Sequence, residues 1–417
     1  MTASRIFKLL IVTFTMLVLL VSAPGLPAQD NKEDESLRSE VVNGNSQFAI
    51  DLYQNINASE DSKGKNIFIS PFSISTALAM TYEGSRNNTR KEMASALHFN
   101  LPGDKLDAAF SLLLGETKAA PGEHYKLNVA NALWGQKDYR FESAFTRAID
   151  KYYDGGFNLV DYLHNTEGSR KTINKWVEAR TEDKIKALVH KDDINTATRL
   201  VLTNAIYFKG DWASKFKAEK TQNAPFTASD GKTVDVPMMA QSGNFPFLED
   251  GGLAMIELPY AGNDLSMIAI LPEGDVEKLG ASLSLAKIQE LRKNLRPQHV
   301  DVYLPRFKFE ARYHLDDGSL LPKMGMRDAF SETRADFSGM TGSATLYISH
   351  VIHQAVIDVN EEGSEAAAAT AVVMTRKSIS RARIFRADRP FIFMIVHKPT
   401  DSILFLGRLS SPAAAAN

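Results

Sequence analysis

The chain has 417 residues, of which 44% are hydrophobic and 24% charged, proportions that exclude a disordered, fibrous or polytopic membrane class. Its formal net charge of -2 at pH 7 excludes a protein-wide electrostatic surface for nucleic acid. It contains no cysteine, so core packing and not a disulfide framework must hold it together.

At the N-terminus, Arg5 and Lys8 precede the uncharged run LLIVTFTMLVLLVSA, and small residues follow in APGLPAQ. This is the layout of a secretory signal peptide over residues 1–28, with Ala28 a better cleavage position than Ala23, which Pro24 follows. The run falls short of the ~20 residues of a retained membrane anchor. A secreted, extracellular protein with no membrane contact after signal removal is expected. Residues 29–42 read as a polar, acidic, solvated tail. Two sequons, Asn57-Ala58-Ser59 and Asn87-Asn88-Thr89, agree with export and predict glycosylation at Asn57 and Asn87.

Helical patterns come first in the body of the chain. SQFAIDLYQNI puts Phe48, Leu52, Tyr53 and Ile56 on one stripe, and SPFSISTALAMTYEG opens with Ser70-Pro71, as helix starts often do. KLDAAFSLLLGE and SRKTINKWVEARTEDKI are amphipathic as well. Strand-like apolar runs then interleave: LNVANALWG, RLVLTNAIYFKG, LAMIELPY and LSMIAILPEG. FIFMIVHKPTDSILFLGRL reads as two apolar strands joined by a turn with Pro399 and Asp401, a hairpin covered on both faces. No repeat and no long linker divides the chain, which predicts one α+β domain.

Enzyme motifs fail. There is no G-x-S-x-G, no H-E-x-x-H and no G-x-G-x-x-G. Gly231-Lys232-Thr233 resembles the end of a phosphate loop, but Phe226 stands where the upstream glycine belongs. The nine histidines show no metal-ligand spacing. No enzyme activity, metal or cofactor is therefore expected. His353, in the apolar run SHVIHQAV, reads as a core histidine bonded to its neighbours, and Trp212 in KGDW as core packing. Between Arg376 and Arg389 lie Arg376, Lys377, Arg381, Arg383, Arg386 and Arg389, opposed only by Asp388. A solvated basic loop, a polyanion-binding patch, and bait for a protease that cleaves after Lys or Arg all fit this cluster.

The stretch DVNEEGSEAAAATAVVMTRKSIS, Asp358 to Ser380, is a hybrid. Displayed as a strand, one face carries Ser364, Ala366, Ala368, Thr370, Val372 and Met374, small at first, then apolar, and never charged. The other face carries Glu365, Ala367, Ala369, Ala371, Val373 and Thr375. No proline interrupts the run, so each backbone N–H is free to join a ladder. An alanine run also suits a helix. The same segment ends in Arg376-Lys377-Ser378, which belongs in water, and Gly363 at its start is a permissive hinge.

EEGSEAAAATAVV is similar to the hinge of inhibitory serpins: an acidic pair, Gly, Thr or Ser, Glu, then small residues. NIFISPFSISTALAM resembles the serpin helix B and shutter region, LTNAIYFKGDW the strand that ends at the breach tryptophan, and RPFIFMIVHKPTDSILFLGRLSSP the C-terminal signature. The resemblance covers about residues 43–412, leaving 413–417 as a C-terminal tail, and its four motifs fall in consistent order.

The resemblance implies a serpin fold, about nine helices packed on three β-sheets, with an exposed reactive-centre loop at about 361–386. It implies a suicide inhibitor, expected to be monomeric, whose cut loop inserts as an extra strand of the central sheet. The hinge falls on Glu361, Glu362, Gly363, Ser364, Glu365, Ala366, Ala367, Ala368 and Ala369. Carried over by spacing, the reactive bond is Lys377-Ser378, with Arg376 the alternative, and Met374, Thr375 and Arg376 tune specificity. A Lys side chain suits a trypsin-like serine protease, and Arg376 beside it admits enzymes that tolerate dibasic sites. Ser70, Ser73, Asn204 and His353 match shutter positions and Trp212 the breach. SRNNTRKEMASALHF holds only three basic residues and one acid, which argues against a heparin-like cofactor. Two other readings remain open: a non-inhibitory serpin (a carrier or chaperone) and a polyanion-binding protein. The first usually shows charged, bulky or proline residues in the hinge, where this chain has Ala366 to Ala369.

Overall fold

The computed structural model describes residues 28–119, 124–153, 156–362 and 382–412. Its first helix, Ala28–Asn57, is 30 residues long. The solvated tail expected at 29–42 is therefore helical. Gln, Lys, Glu and Arg propagate a helix well, and this one has a surface to pack on. Val41 and Val42 are buried, and Arg38 pairs at 2.6 Å with Glu116 of helix Gly103–Ala119. Phe48, Leu52, Tyr53 and Ile56 are buried as their spacing predicts. Helix Pro71–Gly84 starts where Ser70-Pro71 places it. The Ser70 hydroxyl accepts the Ser73 N–H at 3.3 Å, and Pro71 occupies a first-turn position whose amide has no helical partner anyway.

Among the described residues the strands form two sheets. In spatial order the five-stranded sheet consists of Phe307–His314, His350–Val359, Leu200–Gly210, Tyr125–Gln136 and Gly156–Val160. The nine-stranded sheet includes the C-terminal hairpin of Phe391–His397 and Ser402–Leu409, both strands wholly buried. Three sheets were expected. The reason for two is strand Thr233–Asp250, 18 residues long, which pairs with Gln222–Thr227 at its start, Arg296–Pro305 through its middle and Leu253–Pro259 at its end. One continuous strand thus fuses two sheets into a single ladder. Nine α-helices among the described residues agree with the number implied.

Both faces of the five-stranded sheet are covered. The main core fills one face, and a smaller cluster around Trp134, Tyr162, Val177 and Ile352 lies on the other, with residues of helix Thr166–Arg180. This explains why its strands read as nearly continuous apolar runs. No helix among the described residues is long and apolar enough to cross a membrane.

The two sequons fare differently. Asn87 is exposed. Asn57 is 9% exposed, donates to the Glu277 carbonyl at 3.0 Å and accepts from the fully buried Arg408 at 2.5 Å. The Nδ2 that would carry a glycan is thus turned inward onto Glu277, which makes Asn57 the less favourable of the two expected positions, and its Oδ1 serves as an acceptor for a buried cation.

Candidate functional site

The centre of the five-stranded sheet is a parallel seam. His350–Val359 pairs with Leu200–Gly210 in register from His350↔Val201 to Ile357↔Phe208, while each of these strands is antiparallel to its outer neighbour. The chain leaves the seam at Glu361-Glu362 and is next described at Ala382, entering strand Arg383–Arg386, which pairs in parallel with Arg296–Pro305 of the other sheet. The segment between them therefore joins the two sheets. Gly363, Ser364, Glu365, Ala366, Ala367, Ala368, Ala369, Met374, Thr375, Arg376, Lys377 and Ser378 lie outside the described residues.

At the exit end, Trp212 is 3% exposed and stacks on Tyr260 with ring centroids 4.6 Å apart. Its indole N–H donates to the Asn360 carbonyl at 2.9 Å. Packing alone was one reading of this residue; it also holds the chain at the mouth of the seam. Glu361 is held more firmly. Its carboxylate accepts from Arg306 through two nitrogens and from the Thr221 hydroxyl at 2.7 Å, and its carbonyl accepts the Phe216 N–H at 3.0 Å. Burial alone would raise the Glu361 carboxyl, but the hydrogen bonds from Arg306 and Thr221 outweigh it and keep the acid below the usual range. The hinge thus starts from a clamped anion.

Half-way along the seam a polar row crosses four strands. Tyr313, His353, Asn204 and Asn131 are successive register partners. His353 is fully buried, with Nδ1 on Asn204 Oδ1 and Nε2 3.3 Å from the Ser70 backbone nitrogen. The Ser70 N–H is a donor, so Nε2 accepts and Nδ1 carries the proton given to Asn204. Asn204 Nδ2 donates to the Ser73 hydroxyl at 2.7 Å and to Asn131 Oδ1 at 2.6 Å. The Ser70 hydroxyl donates to the Leu404 carbonyl at 2.8 Å. All four expected shutter residues come together. Asn131, Arg306 and Thr221 were missed; the first showed only as a polar residue inside the apolar run LNVANALWG, and the other two carried no signal. A cavity of about 250 Å³ reaches this row, lined in part by Ser70, Ser73 and Asn131.

The row is a latch on the seam, because a strand entering between His353 and Asn204 must break their contact. It is also acid-sensitive. Burial, opposed in part by the Asn204 contact, pushes the His353 pKa down to about 3. An unfolded histidine titrates near ~6.5, so between the two values the unfolded chain binds the extra proton. Stability is therefore intact above about pH 6.5 and declines as pH falls towards 3, with a slope approaching 1.4 kcal/mol per unit from this group. In denaturant melts over this window, His353→Gln should flatten the acid limb; an unchanged slope would assign the acid loss to other groups.

Sequence spacing pointed to no metal site, yet folding brings His314, Asp316 and His350 to one place, and likewise Asp138, Asp161 and His164.

Comparison with known proteins agrees with this architecture. A family model described as "Serpin (serine protease inhibitor)" matches residues 43–412. Leukocyte elastase inhibitor of Equus caballus is 43% identical over 383 residues, covering 89% of this chain and 100% of the relative. The human protein of that name is 42% identical over 384 residues, with the same coverage. An uncharacterized serpin-like protein of Thermococcus kodakarensis is 42% identical over 382 residues, 91% of this chain and 87% of that one. The crystal structure of uncleaved ovalbumin superposes with a TM-score of 0.80 at 28% identity, over 89% of this chain and all of the other. With its hinge clamped beside Trp212, a latched parallel seam and a match to the family over nearly its whole length, the chain belongs to the serpins, the family of serine protease inhibitors.

Proposed function

We propose that this chain is a secreted, single-use inhibitor of trypsin-like serine proteases, with Lys377-Ser378 as the reactive bond. The protease serine oxygen attacks the Lys377 carbonyl, the peptide bond breaks, Ser378 leaves as a free amine, and an ester links Lys377 to the enzyme. The freed arm then enters the seam from Glu361, running antiparallel to both His350–Val359 and Leu200–Gly210. The observation that carries this reading is the parallel pairing of those strands. Parallel ladders are slightly weaker per residue than antiparallel ones, so insertion replaces one parallel interface with two antiparallel ones. The uncharged face from Ser364 to Met374 suits a strand buried on that side. The signal-like N-terminus favours export, and the lysine favours a protease pocket with a carboxylate at its base.

A second specificity follows from the relatives' name. An elastase has a small apolar primary pocket, and inhibition of one would move the reactive bond off Lys377 to an uncharged neighbour. Incubation with trypsin and with leukocyte elastase, followed by a denaturing gel, separates the two. The expected result is a boiling-resistant band near the summed masses with trypsin, and a C-terminal peptide beginning at Ser378 by mass spectrometry. Such a band with elastase alone would overturn the trypsin assignment, and clean cleavage by both without any complex would overturn inhibition of either enzyme.

A further inference from the structure

At the end of the five-stranded sheet opposite Trp212, folding gathers residues that are scattered along the chain. His314 closes strand Phe307–His314, Asp316 lies two residues on, and His350 opens strand His350–Val359. Asp316 Oδ2 is 3.1 Å from His350 Nδ1, and Asp316 Oδ1 is 3.8 Å from His314 Nδ1. All three side chains are half-buried. The Val351 N–H donates to Asp316 Oδ1 at 2.8 Å, so backbone fixes the carboxylate between the two rings.

The far nitrogen of His314 supplies an independent observation. Nε2 lies 3.0 Å from Asp193 Oδ1. In the tautomer with its proton on Nε2, where Asp193 accepts it, Nδ1 is free to ligate, the arrangement by which outer carboxylates orient ligating histidines; without a metal, the same Nδ1 is placed to give a proton to Asp316. Arg312 Nη1 lies 3.1 Å from the same Nε2 and can only donate, so ligation through Nδ1 requires this contact to give way to the Asp193 carboxylate, with which Arg312 is paired through its other terminal nitrogen. With neutral imidazoles, Arg312 and the two aspartates leave the cluster with a single negative charge.

We propose that His314, Asp316 and His350 form a site for a divalent transition-metal ion of the zinc class, with a fourth position open to water. Two imidazoles and one carboxylate suit Zn²⁺, Co²⁺ or Ni²⁺, whereas Ca²⁺ and Mg²⁺ favour oxygen ligands alone. Ligand bonds of about 2.0–2.2 Å in a tetrahedron put ligand atoms about 3.4 Å apart, and one ligand atom from each of the three residues already lies within 4.8 Å of the others. The group of Asp138, Asp161 and His164, exposed at its first and last members, is a poorer competitor, since it has one imidazole and Asp161 is already paired with Lys137 at 2.8 Å.

The ion would tie Phe307–His314 to His350–Val359, both on one side of the seam. It is expected to raise the thermal midpoint without changing the stoichiometry of inhibition; only the latter half of that statement rests on the inhibitor reading.

The test is titration of chelator-treated, full-length protein with Co²⁺, read by its visible ligand-field band and by displacement with Zn²⁺. One equivalent per chain is expected, and His314→Gln or His350→Gln should each weaken Zn²⁺ binding by at least about tenfold. Protection of the unaltered protein needs no variant: Zn²⁺ should shield His314 and His350 from diethyl pyrocarbonate, mapped by peptide mass spectrometry, while His164 reacts at its usual rate. No saturable band, protection at His164 instead, or a band that survives in a folded double variant would overturn the site.

Discussion

Replacing Ser364 by arginine is expected to turn the inhibitor into a substrate. Ser364 is the first residue of the uncharged face in the sequence and, on the insertion proposed above, would be the first to enter after Glu361, whose carboxylate Arg306 and Thr221 hold at the seam's edge. An arginine there must bury a cation with no partner, or keep the arm outside. A penalty of about 3 kcal/mol on the insertion step slows it roughly 10²-fold. Hydrolysis of the acyl-enzyme is not slowed, so turnover wins. The measurement is the number of inhibitor molecules consumed per trypsin silenced, which should rise at least about tenfold. Glu365→Arg, one residue on and on the opposite face, is the control and should stay within about twofold. Equal behaviour of the two variants would remove the alternation argument, and an unchanged stoichiometry for Ser364→Arg would sink insertion altogether.

The second large effect is at the bond itself. Lys377→Ala removes the ammonium that pairs with the carboxylate at the base of a trypsin-like pocket. Leaving a buried charge without its partner costs about 3–5 kcal/mol, so the rate of trypsin inhibition should fall roughly 10²–10⁴-fold. The hinge is untouched, and whatever enzyme still acylates the loop should be trapped with the original stoichiometry. That separation of rate from stoichiometry distinguishes a specificity residue from an insertion residue. Should Lys377→Ala inhibit trypsin as fast as the parent while Arg376→Ala does not, the reactive bond lies one residue earlier.

The local parts of this fold are legible without coordinates. The stripe from Phe48 to Ile56, the Ser70-Pro71 helix start and the C-terminal hairpin each depend on spacing within a few residues, and all three stand as expected. What escapes is what depends on remote partners. Asn131 is meaningful only because register places it beside Asn204, and Arg306 only because its strand end faces Glu361. The same blindness hides the inward contacts of Asn57, a formal sequon whose Oδ1 accepts from Arg408. The polar residues 33–36 and Ser39 look solvated because they are exposed; the helix needs only Val41, Val42 and a few neighbours to anchor its other side. The two histidines and the aspartate at the base of the sheet are invisible to any motif, since His314 and His350 are brought together only by strand pairing.

The stacking of Trp212 on Tyr260 has an optical consequence. The chain has three tryptophans, and Trp134 and Trp176 face one another edge-on at 5.5 Å, on a strand and the helix that covers it. Trp212 alone bonds to the backbone that must move when the hinge is drawn inward. Excitation of the unlabelled protein therefore yields a paired background and a single reporting chromophore, placed where the arm would enter. A change in emission during reaction with a protease would time the entry of the strand, with no dye and no engineered residue.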